Sequence, residues 1–174
     1  MRNATTHVIA LLVSILWMAD SSLADEFVVN TTLDTVDANP GDGICADASG
    51  ACSLRAAVME SNANGPSQDF IFLPPGTYLL TLPFSLGDDG GDLVITDSVT
   101  IIGAGNGVTF IDGNDSTGVF RTAQNPSTSV HIQLRDLTIQ NGDAQGGGGI
   151  YLVDAHLLGL GIVVRDCFAF SQGG

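Results

Sequence analysis

The chain has 174 residues, of which 19 are Asp or Glu and only 5 are basic, giving a net charge of −14 at neutral pH. All five basic residues are Arg, so the chain has no lysine. This balance repels a phosphate backbone and excludes nucleic acid as a partner; it suits a solvated surface, with divalent cations as a secondary implication.

Residues 1–24 read as a removable secretory signal. Arg2 and His7 precede an apolar run from Val8 to Met18, and Ser22-Leu23-Ala24 then puts small residues where a signal peptidase cuts. The run is about half of the ~20 residues that a membrane-spanning helix needs, which argues against a retained anchor and an integral helical membrane protein. No cysteine lies near the cut, so a lipid-anchored form is disfavoured. Cleavage after Ala24 leaves 150 residues, enough for one domain with a sizeable core.

Glu26 to Thr32 is rich in β-branched and aromatic side chains and reads as a short strand. Asp34 to Gly50 is rich in Asp, Gly, Asn and Pro and reads as a loop. Within it Asp34, Asp37, Asn39 and Asp42 offer oxygen ligands that could suit calcium, the one cofactor the sequence suggests. Their spacing departs from the EF-hand, and turn-making Asp and Asn are the plainer reading. Cys45 and Cys52 have six residues between them, and in an exported protein such a pair forms a disulfide; the alternative, a metal site, lacks the nearby His of a tetrahedral zinc set. Cys167 is left over and reads as a small buried hydrophobe in a β rung.

Leu54, Ala57 and Val58 recur at helical spacing behind Ser53, a good N-cap, and Asn64-Gly65-Pro66 halts the element, so a helix is expected at about 53–62. Cys52-Ser53-Leu54-Arg55-Ala56-Ala57, with Asn62-Ala63-Asn64 downstream, resembles the CSLREA-type N-terminal domain that precedes right-handed parallel β-helices on bacterial surface proteins. The resemblance implies that residues 25–92 form an N-terminal cap, with Leu54, Arg55 and Ala57 as structural positions and Arg55 paired with a nearby acid. Ala56 stands where that family carries Glu, which removes half of a reciprocal capping box with Ser53.

Asp69 to Leu73 and Thr77 to Leu82 read as two strands around the Pro74-Pro75-Gly76 turn. From Leu93 onward short β-branched runs recur: Leu93-Val94-Ile95, Val99 to Ile102, Val108 to Ile111, Val119-Phe120, Val130 to Ile132 and Leu137 to Ile139. Glycine-bearing turns separate many of them, a spacing shared by sandwiches, barrels and solenoids. A longer repeat favours the solenoid: Arg135-Asp136 returns as Arg165-Asp166 after 30 residues, and Gln145-Gly146-Gly147 as Gln172-Gly173-Gly174 after 27. Gly147-Gly148-Gly149-Ile150-Tyr151 resembles the repeat element of polymorphic outer-membrane proteins. The fold expected is therefore all-β: a right-handed, single-stranded parallel β-helix of pectin-lyase-like type with a short N-terminal capping helix. Residues 93–174 would be its first coils, truncated at the C-terminus.

Parallel β-helices also host polysaccharide lyases and hydrolases, and Asp112, Arg135, Asp136, Asp143, Arg165 and Asp166 are the groups such chemistry would use. The two Arg-Asp pairs are read as repeat geometry, and His131 and His156 as structural or exposed strand residues. The Gly146 to Gly149 run lacks the Lys and Ser/Thr of a phosphate loop and reads as a coil corner. No catalytic residue is assigned. The expectation is an exported, non-enzymatic surface or extracellular protein, serving adhesion or display, with glycans or cell-surface proteins as partners; the alternative is the leading piece of a β-helical carbohydrate-active enzyme.

Overall fold

The computed structural model describes residues 24–85, 87–122 and 129–170. The expected signal, apart from Ala24, and the Gln172 repeat lie outside the described residues.

In chain order the elements are β1 (Glu26–Val28), α1 (Leu54–Ala63), β2 (Asp69–Leu73), β3 (Gly76–Leu79), β4 (Leu93–Ile95), β5 (Val99–Gly103), β6 (Thr109–Asp112) and β7 (Phe120–Thr122). They continue with β8 (Val130–Arg135), β9 (Thr138–Gln140), β10 (Asp143–Gln145), β11 (Ile150–Tyr151), β12 (Ala155–Leu160), β13 (Val163–Arg165) and β14 (Phe168–Phe170). Every strand pairing is parallel. The sheets run β1-β2-β5-β8-β12, β3-β6-β9-β13, β4-β7-β11 and β10-β14. The chain visits the first three faces in rotation, which makes a parallel β-helix of about three turns.

β2 and β3 therefore do not pair with each other. Pro74-Pro75 turns the chain from one face to the next, a corner in which the missing proline N–H groups leave no ladder bond unmade.

Alternation drives the packing, because strand side chains point alternately in and out. In β2, Asp69, Ile71 and Leu73 are buried while Phe70 and Phe72 are half-buried. Inward residues stack coil upon coil: Phe27, Ile71, Ile101 and Leu134 form one apolar column, and Tyr78, Ile111 and Ile139 another. Each coil completes the core of its neighbour, the physical basis of a solenoid.

Corners demand unusual backbone. The column Gly103, Asp136 and Gly161 follows the first face; Asp136 has φ 51° and Gly161 φ 64°, and a Cβ on Gly161 would stand 2.5 Å from the Asp136 carboxylate. At the next corner Asn141 (φ 52°) and Asp166 (φ 51°) stack. Asn and Asp tolerate the left-handed region better than other residues with a Cβ. Asp136 and Asp166 are thus both corner residues, but of different corners. Arg135 is opposite Leu160 and Arg165 is opposite Gln140, so the two Arg-Asp pairs are not equivalent. The true return is 25 residues where β12 lies on β8, not 30.

The first coil is covered by α1, which packs on β2 and β4. Ser53 caps it, its hydroxyl accepting from the Ala56 amide at 3.0 Å while donating to the Thr35 carbonyl at 2.6 Å. Leu54 to Ser61 are all buried. The helix is hidden on both sides, between the coil below and the Asp-rich loop above, so its polar residues must find partners inside. Glu60 accepts from the Gly41 and Gly43 amides and ties the loop down. Cys45 and Cys52 are joined in the expected disulfide at the loop's end.

Candidate functional site

Among the described residues Arg55 is the largest fully buried side chain. Its Nε donates to Asp34 Oδ1 at 2.6 Å and its Nη2 to Asp34 Oδ2 at 3.2 Å. The guanidinium also reaches the backbone carbonyls of Asp88, Gly91 and Asp92. Asp34 Oδ2 accepts in addition from the Thr81 and Leu82 amides. This network joins the loop, helix and first coil, and it satisfies a charge whose burial would otherwise be expensive.

The other calcium candidates are likewise engaged within the loop. Asp37 accepts from the Asn39 and Ala46 amides, Asp42 from Ile44 N and the Asn39 side chain. The structure does not bring Asp34 to them. Asp47, the last acid of the same loop, is held at about pKa 2 by the Ser49 hydroxyl and by the Ala51 and Ser49 amides. Among the described residues no three His, Cys, Asp or Glu side chains are grouped as a metal site, and no helix is long and apolar enough to cross a membrane.

Gly147, Gly148 and Gly149 lie between β10 and β11, and Ile150 opens β11. A Cβ on Gly148 would collide with the Phe168 and Gly142 carbonyl oxygens at 2.2 and 2.3 Å, so the corner admits only glycine there. Cys167 is half-buried between β13 and β14 rather than buried in a rung, its thiol donating to the Arg165 carbonyl at 3.2 Å. Asp112 is buried and accepts from the Asn114 amide and from Gln140 and Asn141 side chains, a ladder along one corner. His131 and His156 stand in register on the outer side of the first face, rings stacked at 5.0 Å.

The site that the folded chain builds is elsewhere. A groove of about 350 Å³ crosses successive coils beside the third face, lined by Phe84, Asp92, Thr117, Arg121, Asp143, Gln145, Tyr151 and Phe170 among others. Arg121 and Tyr151 are neighbours on β7 and β11 and share the outward row. Asp92 precedes β4; its Oδ1 accepts from the Thr117 hydroxyl at 2.7 Å, and its Oδ2 lies 3.3 Å from Arg121 Nε. That ion pair is not aligned as a hydrogen bond, and Arg121 Nε and Nη2 are both buried without a hydrogen-bond partner. A Cβ on Gly146 would stand 2.9 Å from the Tyr151 ring, so this glycine seats the ring against the corner.

The groove thus combines unmatched guanidinium donors, a braced carboxylate and aromatic walls, which can bind a polyhydroxylated ring by bidentate hydrogen bonds and stacking. Of the residues that sequence offered as candidate chemistry only Asp143 belongs to it, while Gln145 and Tyr151 were read only as parts of repeat elements. Arg121 and Tyr151 lie 30 positions apart, and the signal that could have paired them was the coil register itself. No protein-family model, curated protein or solved structure matches this chain.

Proposed function

We propose that this chain is an exported, non-enzymatic β-helix module that uses the Arg121 groove to hold glycans at a cell surface or in the extracellular space. The observation that carries the reading is the pair of buried Arg121 nitrogens, Nε and Nη2, that lack a hydrogen-bond partner beside Tyr151 even though Nε is ion-paired with Asp92. Buried donors without partners are rare in folded proteins, and a ligand hydroxyl or carboxylate would satisfy them. The disulfide agrees with an oxidising compartment, and the resemblance to CSLREA-type domains points to the same address.

The test is binding to an array of neutral and acidic oligosaccharides, with Arg121→Ala and Tyr151→Ala as controls. Retained glycans whose binding falls at least tenfold in both variants support the reading; no binding, or binding indifferent to both, sinks it.

Asp92 and Asp143 in one groove favour a second reading, a β-helical polysaccharide lyase or hydrolase, since two carboxylates and an arginine can move protons around a glycosidic bond. Release of new chain ends from a bound polysaccharide, lost in Asp143→Asn, would establish it over the first.

A further inference from the structure

Asp69 heads an inward column of the first face whose next members are Val99, Ile132 and Leu157. A carboxylate in that row is out of pattern, and Asp69 is 0% exposed. Its Oδ1 accepts from the backbone nitrogen of Asp25 at 2.9 Å and from the Ser67 hydroxyl at 2.6 Å. Its Oδ2 has no hydrogen-bond partner. The charges nearby are of the wrong sign. Asp25 offers its own carboxylate, bound to Asn64 Nδ2 at 2.8 Å, and half-buried Asp97 is raised above the ordinary carboxylate range by burial, with Asp69 adding to the effect. Among the described residues the ion pairs are Arg55–Asp34, Arg121–Asp92 and Arg165–Asp166; no arginine serves Asp69.

The backbone nitrogen that does serve it belongs to the residue that follows Ser22-Leu23-Ala24. We propose that the Ala24–Asp25 bond is a processing site and that the α-ammonium released there locks into the buried Asp69 carboxylate. Hydrolysis breaks the Ala24 C–N bond; the water oxygen stays with Ala24 as its carboxylate, and the Asp25 nitrogen takes up protons to become –NH3+. One neutral N–H at 2.9 Å is thereby replaced by a cation with three, able to reach Oδ2 while keeping Oδ1. A buried carboxylate with a cation is far better compensated than one with a single amide. Asp25 also accepts from the Phe70 amide through its carbonyl, so the new terminus is fixed in the first rung. Cleavage then completes the fold: the uncut chain lacks the cation, and the cut chain carries it. Ala24 is exposed, which leaves the bond open to a peptidase.

The proposal rests on the export reading, and the absence of lysine makes it unusually easy to test. Once residues 1–24 are removed, the α-amine of Asp25 is the sole amine in the chain. The chain starting at Asp25, the same chain acetylated at that amine while unfolded and then refolded, and a chain starting at Ala24 are compared, each with Asp69 and with Asp69→Asn. Acetylation and the one-residue extension are each expected to lower the melting midpoint by about 6 °C or more with Asp69 in place, and to change it little in Asp69→Asn. N-hydroxysuccinimidyl acetate should label the native Asp25 chain at least tenfold more slowly than the native Ala24 chain. Equal labelling rates, or equal melting of free and acetylated chains, overturn the lock. Mass spectrometry of the protein collected outside the cell supplies the remaining arm. A start at Asp25 is the expected result, and an exported chain cut elsewhere overturns this proposal alone. A chain retained inside the cell with residues 1–24 attached overturns the export reading and the processing site together.

Discussion

Val99, Ile132 and Leu157 occupy the same inward column in three successive coils, yet the first two are 1% and 2% exposed and the third 36%. All three side chains are aliphatic and sit in a parallel strand. What differs is the neighbour: Val99 and Ile132 have a coil on each side, whereas Leu157 lies in the last described coil with Leu160, Val163, Phe168 and Phe170, all exposed. Burial in this fold is a property of adjacency. The other end makes the contrast complete, because there α1, the disulfide loop and Arg55 cover the first coil and bury even charged groups.

The strongest way to break the comparison is to remove the ion pair of the covered end. Arg55→Met should destabilise by about 3–5 kcal/mol in urea unfolding, because it strands the Asp34 carboxylate in a buried site. A loss below about 1 kcal/mol would mean that the lid is not cooperative with the coils. Next in size, Ile101→Ala should cost about 2–5 kcal/mol, and Leu157→Ala less than about 1 kcal/mol, by the same measurement. Equal losses would show that the last described coil is as well covered as an inner one.

Cys45→Ser should lower stability by about 2–3 kcal/mol in the oxidised protein, since the bond closes a short loop. Ser53→Ala, which removes the helix cap, should cost about 1 kcal/mol. The smallest effect is a pH dependence. Asp47 has its pKa lowered from 3.8 to about 2 in the folded chain, so its contribution is present above pH 4 and is lost as pH falls toward 2. Asp47→Asn should flatten stability against pH in that window; an unchanged slope would assign it to other carboxylates.

The strands and the helix were legible because short β-branched runs, a Ser cap and an Asn-Gly-Pro stop act locally. The disulfide was legible from spacing and expected compartment. The repeat register was not: corners differ in length, so a match such as Arg135-Asp136 with Arg165-Asp166 joined two different corners that share a need for left-handed backbone. Asp34 looked like a loop ligand because its true partner, Arg55, lies 21 positions away. Cys167 was expected buried in a rung; it stands at the corner between β13 and β14, packed against the core but only half-buried, because no further coil among the described residues covers it. The groove was not legible as a site, since Tyr151 was seen only as the end of a repeat element, and Phe84, Arg121, Tyr151 and Phe170 come from separate coils and meet only once the register is set.

Glu26 pairs with Phe70, a return of 44 residues, whereas β12 comes back on β8 after 25. The lid is thus an enlarged corner, an insertion between two strands that already face each other in register. Its ends leave and re-enter the solenoid on adjacent rungs, as the ends of a tolerated loop insertion do. It behaves as a cassette together with the coil it is bonded to: α1 packs on β4, and Arg55 and Asp34 bond to Thr81, Leu82, Asp88, Gly91 and Asp92, so the piece to graft onto another parallel β-helix is residues 26–95, joined through β2, β3 and β4. A stopper for an exposed solenoid end can therefore be moved between proteins as one continuous piece of sequence, which gives this short chain a use in engineering that is independent of what its groove binds.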